Sequence, residues 1–135
     1  MFVGFDYGTS NCAMACIENG QSRLIPLYNN NPFVPSTLYA FERAFITEAL
    51  WQQISDNESK LHFATSRSAS LSQSRTHKIE HSLTNVSDGL FFGLDAIDHY
   101  IAAPGEGYFI KSPKSFLGAS GLRQPSVDFF EDVVA

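Results

Sequence analysis

The chain is poor in cysteine and in positive charge, and nowhere does it run hydrophobic for long. Cys12 and Cys16 are the only cysteines among 135 residues. Four apart in one strand, they share a face, but their Cα atoms lie too far apart for a disulfide. They read as small buried hydrophobes of a protein in a reducing cytoplasm. Nine Lys and Arg stand against fourteen Asp and Glu, a net charge of −5, and Arg67, Arg75 and Lys78 are scattered. That balance argues against nucleic acid and anionic membranes as partners. No segment approaches the length of a membrane-spanning helix. The N-terminus lacks a basic stretch and Asp6 interrupts its apolar run, so no secretory signal is read there. No internal repeat is visible.

What the chain does have is aromatic weight. Twelve Phe in 135 residues argue for one folded domain with a real core. Its most informative stretch is Val3-Gly4-Phe5-Asp6-Tyr7-Gly8-Thr9-Ser10-Asn11. An apolar strand, Phe2 to Phe5, meets an acidic residue, then a turn of glycine and hydroxyl residues, then a second apolar run, Cys12 to Ile17. Such a hairpin offers backbone N–H groups and hydroxyls to a phosphate, with a carboxylate nearby for magnesium. Gly8 permits close backbone approach. The plainer reading is a hairpin whose Asp and Gly serve only the turn.

The first part, residues 1–41, reads as a β-meander. Asn19-Gly20 signals a hairpin between Cys12–Glu18 and Gln21–Leu27. Asn29-Asn30-Asn31-Pro32 makes a loop, and Pro35-Ser36 opens a strand from Thr37 to Phe41. Phe45, Ile46, Ala49, Leu50 and Ile54 then fall on one helical face, with Asp56-Asn57 as the stop. Residues 42–89 read as an insertion, and its serine-rich stretch 65–74 as an exposed loop or poorly ordered segment. Leu90-Phe91-Phe92-Gly93 restores order and leads into a helix through Ala96, Ile97, Tyr100 and Ile101. Pro104-Gly105 ends that helix, and Tyr108-Phe109-Ile110 reads as a short buried strand. From Pro125 to Ala135 the pattern is helical, with Asp128 near its start and Phe129, Phe130, Val133 and Val134 on an apolar face. An apolar helix without a cap suggests truncation, so the chain reads as the front of something larger.

A rival signal is His77-Lys78-Ile79-Glu80-His81, which matches His-x-x-Glu-His. On a helix the two His share a face and could bind zinc, with Glu80 as general base and Glu131 as a third ligand. A polar helix turn explains the pattern as well. His62 and His99 show no partner pattern and receive no role.

Residues 111–118, Lys-Ser-Pro-Lys-Ser-Phe-Leu-Gly, sharpen the opening motif. With them the chain resembles the actin-fold ATPases, and specifically the DnaK-type, seventy-kilodalton heat-shock chaperones. That family opens with a Gly-Ile-Asp-Leu-Gly-Thr-Thr-type phosphate hairpin, which Gly4 to Asn11 resembles. Its Thr-Pro-Ser-Tyr-Val-Ala-Phe strand is similar to Val34-Pro35-Ser36-Thr37-Leu38-Tyr39-Ala40-Phe41. Its Ile-Gly-x-x-Ala helix start is similar to Phe92-Gly93-Leu94-Asp95-Ala96, and its Ala-Lys-Arg-Leu-Ile-Gly to Pro113–Gly118. The nearest likeness is to the YegD-type chaperones, a divergent bacterial branch. The resemblance covers roughly residues 2–41 and 90–122, with the motifs in the family's order.

The resemblance implies an α/β fold: a partial actin-like (ribonuclease H-like) ATPase lobe, whose mixed sheet begins with a β-hairpin meander and carries packed helices. On this reading residues 1–135 are the N-terminal part of a nucleotide-binding domain. Residues 90–122 are its Lys-bearing segment, and 123–135 a truncated helix. ATP or ADP and magnesium are the implied ligands. Asp6 would hold the magnesium through water. Gly8, Thr9, Ser10 and Asn11 would face the β- and γ-phosphates. Lys114 would contact the γ-phosphate and the attacking water. Unfolded protein clients and co-chaperones would be partners of the parent protein. The family's second phosphate hairpin and adenosine pocket do not occur, so ATPase activity of this chain is expected to be very weak or nil. The second reading is a non-catalytic interaction module with a vestigial phosphate hairpin, a homodimer through the apolar C-terminal face.

Overall fold

The computed structural model describes residues 2–117, 120–121 and 123–135. Gly118, Ala119 and Leu122, which belong to the Lys-bearing run, lie outside the described residues. The chain is mixed α and β, with helices packed on antiparallel sheets.

Strand β1 (Val3–Tyr7) turns into β2 (Asn11–Glu18), with Phe5 opposite Met14 and Asp6 opposite Ala13. Strand β3 (Gln21–Leu24) follows through Asn19 and Gly20, at φ 53° and 77°. Positive φ at both central residues matches the turn twist to the strand twist, and Asn and Gly tolerate it. Strand β4 (Phe33–Pro35) joins the opposite half of the same β2 edge, pairing Asn11 with Pro35. The Gln21–Leu27 strand expected from the sequence thus ends at Leu24, and Pro35, expected to open the next strand with Ser36, closes β4 instead.

The chain then crosses into a second sheet. Its central strand is β5 (Thr37–Ala40), flanked by β6 (Leu90–Phe92) and β7 (Tyr108–Lys111). Both pairings are antiparallel. The expected mixed sheet is therefore corrected: among the described residues, every strand pairing is antiparallel. Short connections join neighbouring strands in the first sheet, and a hairpin link reverses direction.

Alternation along β5 organises the layers. Leu38 and Ala40 enter the core with Phe45, Ile46, Val86, Leu90 and Ile110. Phe45 and Ile46 come from α1 (Arg43–Gln53), and Phe129 and Val133 of α5 (Gln124–Val134) pack beside them. On the other face Tyr39 stacks on His99 of α4 (Gly93–Ala102), and His99 lies 3.5 Å from the Phe91 ring centre. His99, given no role by sequence, is thus part of an aromatic layer.

The serine-rich segment is not a loop. Helices α2 (Asn57–Ser66) and α3 (Ser68–Glu80) occupy it, meeting at Arg67. Helix α1 ends at Gln53, with Ile54 already extended, short of the expected stop at Asp56-Asn57. Asp56 instead starts α2, its carboxylate accepting the Ser59 N–H at 2.7 Å, a normal N-cap. The hydroxyls of Thr65 and Ser66 bond to the carbonyls of Leu61 and Phe63, which keeps them from competing with the helix. Ser74 is fully buried, and Lys78 reaches Glu48 of α1 at 2.6 Å. Serine is only a modest helix former, and packing against α1 outweighs that preference.

A guanidinium closes the helical layer. Arg67 meets Asp128 at 3.0 Å, Glu131 at 3.2 Å and Asp132 at 3.3 Å. Asp132, which is 4% exposed, also accepts from Thr47 at 2.7 Å. Burial raises its pKa, against the opposing pull of Thr47 and Arg67.

Candidate functional site

The site begins with the direction of backbone groups in β1. The Ile17 N–H donates to the Phe2 carbonyl. In an antiparallel strand, alternate residues point both backbone groups to the same side. Phe2, Gly4 and Asp6 therefore face β2, and Val3, Phe5 and Tyr7 face away. The outward carbonyl of Tyr7 is met by Lys114, whose Nζ donates to it at 3.0 Å. The phosphate-type turn and the lysine, distant in sequence, are thus neighbours.

The turn itself is tight. A Cβ on Gly8 would overlap the Asn11 carbonyl oxygen. The volume that a side chain at Gly8 would need is filled by the turn's own backbone, so packing within the turn is itself a reason for glycine there. Thr9, Ser10 and Asn11 are exposed, and so is Asp6 at the end of β1. Lys114 is exposed as well, in the helical turn Pro113–Phe116. Exposed hydroxyl residues, one carboxylate and one ammonium therefore stand at one end of the first sheet. Burial, and then the charge of Cys12, raise the pKa of Tyr7. Its phenol stays neutral at physiological pH and adds no negative charge there.

The remaining motifs converge on the same place. The Ser36 hydroxyl donates to the Gly8 carbonyl at 2.7 Å, and the Ser36 N–H to the Ser10 carbonyl at 2.9 Å. Thr37 donates its hydroxyl proton to the Gly93 carbonyl at 2.8 Å. The Ser112 N–H donates to the Ser36 carbonyl at 2.9 Å. In the sequence Pro35-Ser36 marks a strand opening and part of the family-like strand Val34–Phe41, with no role at the site given to Ser36. Ser36 and Ser112 carry no catalytic pattern, and only the pairing of β5 with β7 brings them together. Cys12, expected to be a buried hydrophobe, is half-buried, and its Sγ lies 3.3 Å from the Ser36 hydroxyl.

Among the described residues no three His, Cys, Asp or Glu side chains form a metal-holding group. Magnesium does not require one. It keeps most of its water and is commonly held by one or two carboxylates plus phosphate oxygens, and the exposed carboxylate of Asp6 fits that need.

The rival zinc reading is corrected by its surroundings. His77 and His81 do lie on or at the end of a helix, α3, with both imidazoles turned to carboxylates. His77 Nδ1 lies 2.8 Å from Glu80, and His81 Nε2 lies 3.0 Å from Glu42. Glu80, assigned as general base, is occupied with His77. Glu131, assigned as third ligand, is bound to Arg67 instead.

No protein-family model matches the chain, and no solved structure matches it significantly. No helix among the described residues is long and apolar enough to cross a membrane.

Proposed function

We propose that the turn between β1 and β2, together with Lys114, is the phosphate-binding half of an ATP and magnesium site in a DnaK-like chaperone. The observation that carries this reading is the hydrogen bond from Lys114 to the Tyr7 carbonyl. It supports the resemblance because it brings the hairpin and the Lys-bearing segment, 107 residues apart in the chain, into contact. Backbone N–H groups of the exposed residues Thr9, Ser10 and Asn11 would donate to phosphate oxygens. The Lys114 ammonium would exchange its carbonyl for the γ-phosphate and offset charge there. Asp6 would hold magnesium through water, and the ion would supply positive charge against the phosphates. The actin-like lobe architecture and the chaperone's clients and co-chaperones belong to the same proposal.

Titration of Mg·ATP and Mg·ADP against wild type, Asp6→Ala and Lys114→Ala tests the assignment. Saturable binding weakened by both substitutions is expected. Binding indifferent to both would remove it.

The second reading, a homodimerising module, shifts its surface. Phe129, Phe130, Val133 and Val134 are half-buried, with the first and third packed on the core and the Phe130 ring tilted against that of Phe116 at 4.4 Å between centres. Among the exposed apolar residues, several lie on the first sheet, with Val3 and Phe5 on one face and Ile17, Leu24 and Phe33 on the other. A strict monomer in sedimentation across a concentration series would eliminate that reading.

A further inference from the structure

The chain passes from one sheet to the other through one buried residue. Ser36 lies between β4 and β5 and is 5% exposed. Its polar groups are all engaged, and with two distant segments. The N–H and the hydroxyl hold the carbonyls of Ser10 and Gly8, while its own carbonyl accepts from Ser112. One residue therefore grips both ends of the phosphate turn and also the chain two residues before Lys114. Ser112 has φ 56° and ψ 56°, a left-handed conformation that turns the chain into Pro113–Phe116. That turn carries Lys114 back to Tyr7.

The direction of the remaining bond follows from proton counting. A hydroxyl has one proton, and that of Ser36 lies in the bond to Gly8. The Cys12 thiol, 3.3 Å away, must then donate to the hydroxyl oxygen. A short relay of donors runs from thiol to hydroxyl to the turn carbonyl, and each bond polarises the next.

We propose that Ser36 is the positioning residue of this site, setting the phosphate turn and Lys114 at a fixed separation, with Cys12 orienting its hydroxyl. The proposal rests on the phosphate-site reading above for its functional consequence, but its geometric core does not. Ser36 touches neither phosphate nor metal and acts through the groups it holds.

The test combines amide hydrogen exchange by NMR on the full chain with Mg·ATP titration, in wild type, Ser36→Ala and Ser36→Thr. In Ser36→Ala the amides of position 36 and Ser112 should exchange about tenfold faster, the scale of one lost hydrogen bond. The Leu71 amide, which donates to Arg67 in α3, should be unchanged. Mg·ATP affinity should fall about tenfold, and Ser36→Thr should recover both values. Unchanged exchange at Ser112 in Ser36→Ala would overturn the proposal whatever the nucleotide does. Equal acceleration at Leu71 would overturn it too, because that is general loss of stability. Local acceleration together with a wild type that binds no Mg·ATP would uphold the positioning role and remove the nucleotide reading. If Ser36→Ala does not fold, Cys12→Ala probes the relay one bond earlier. About twofold acceleration at the same two amides is expected there, and no acceleration would overturn the proposal.

Discussion

Lys114 and Tyr7 are joined by a hydrogen bond of 3.0 Å across a sequence separation of 107 residues. The bond exists because Tyr7 is an odd-phase residue of β1 and turns its carbonyl away from β2. A lysine there is also the ordinary guard of an exposed sheet edge. What separates guard from ligand group is whether its removal changes binding or merely stability.

Lys114→Ala should leave stability to urea within about 0.5 kcal/mol of wild type, since the side chain is exposed and makes one bond. Mg·ATP affinity should drop at least about tenfold if the ammonium meets phosphate. Calorimetric titration beside urea unfolding checks the split, and equal small effects on both would mark Lys114 as an edge guard.

Gly8→Ala should behave differently. Its Cβ would overlap the Asn11 carbonyl, so the turn must move, at a cost of about 1–3 kcal/mol. Loss of stability and loss of Mg·ATP binding should come together. A variant as stable as wild type would show that the turn opens easily.

Arg67→Ala should be the most destabilising of these substitutions. It leaves Asp132, buried, and two further carboxylates without their cation, which costs about 3 kcal/mol for a buried pair broken on one side. Arg67→Lys should recover only part, because an ammonium cannot present the guanidinium's planar fork to three acceptors. Chemical denaturation of both variants gives the comparison.

Stability should fall in acid through Glu48. Burial opposes its ionisation, but Lys78, with Ser74 and Gln52, outweighs that and holds its pKa below the usual carboxylate value. A lowered folded pKa contributes stability that is present above the unfolded value and lost as pH falls through the folded one. Asp132 has the opposite sign: its raised pKa contributes stability below the unfolded value, lost as pH rises through the folded one. Glu48→Gln should therefore flatten the acid loss, and Asp132→Asn should steepen it. Urea midpoints measured from neutral pH down to pH 3 check both signs.

Local patterns made much of the fold legible. The Asn19-Gly20 hairpin, the helix through Phe45 and Ile46, the break at Pro104-Gly105 and the final helix all depend on neighbouring residues, and sequence carries that information. The helices over the serine-rich stretch 65–74 escaped because serine composition argued for a loop, while Ser74 is buried and Lys78 bonds to Glu48 of α1. Chain-local preference cannot register a partner many residues away. The two separate antiparallel sheets were hidden for the same reason, since pairing partners of β5 lie in distant segments.

At the site the division is equally physical. Sequence alone determined the turn chemistry of Gly8 to Asn11, the carboxylate of Asp6 and the lysine at 114, because backbone approach and charge are properties of residue types. Tertiary structure alone decided that Lys114 meets Tyr7 and that Ser36 holds Gly8, Ser10 and Ser112 together. Those contacts follow from strand phase and from the crossing between sheets, which arise only when distant segments pair and pack.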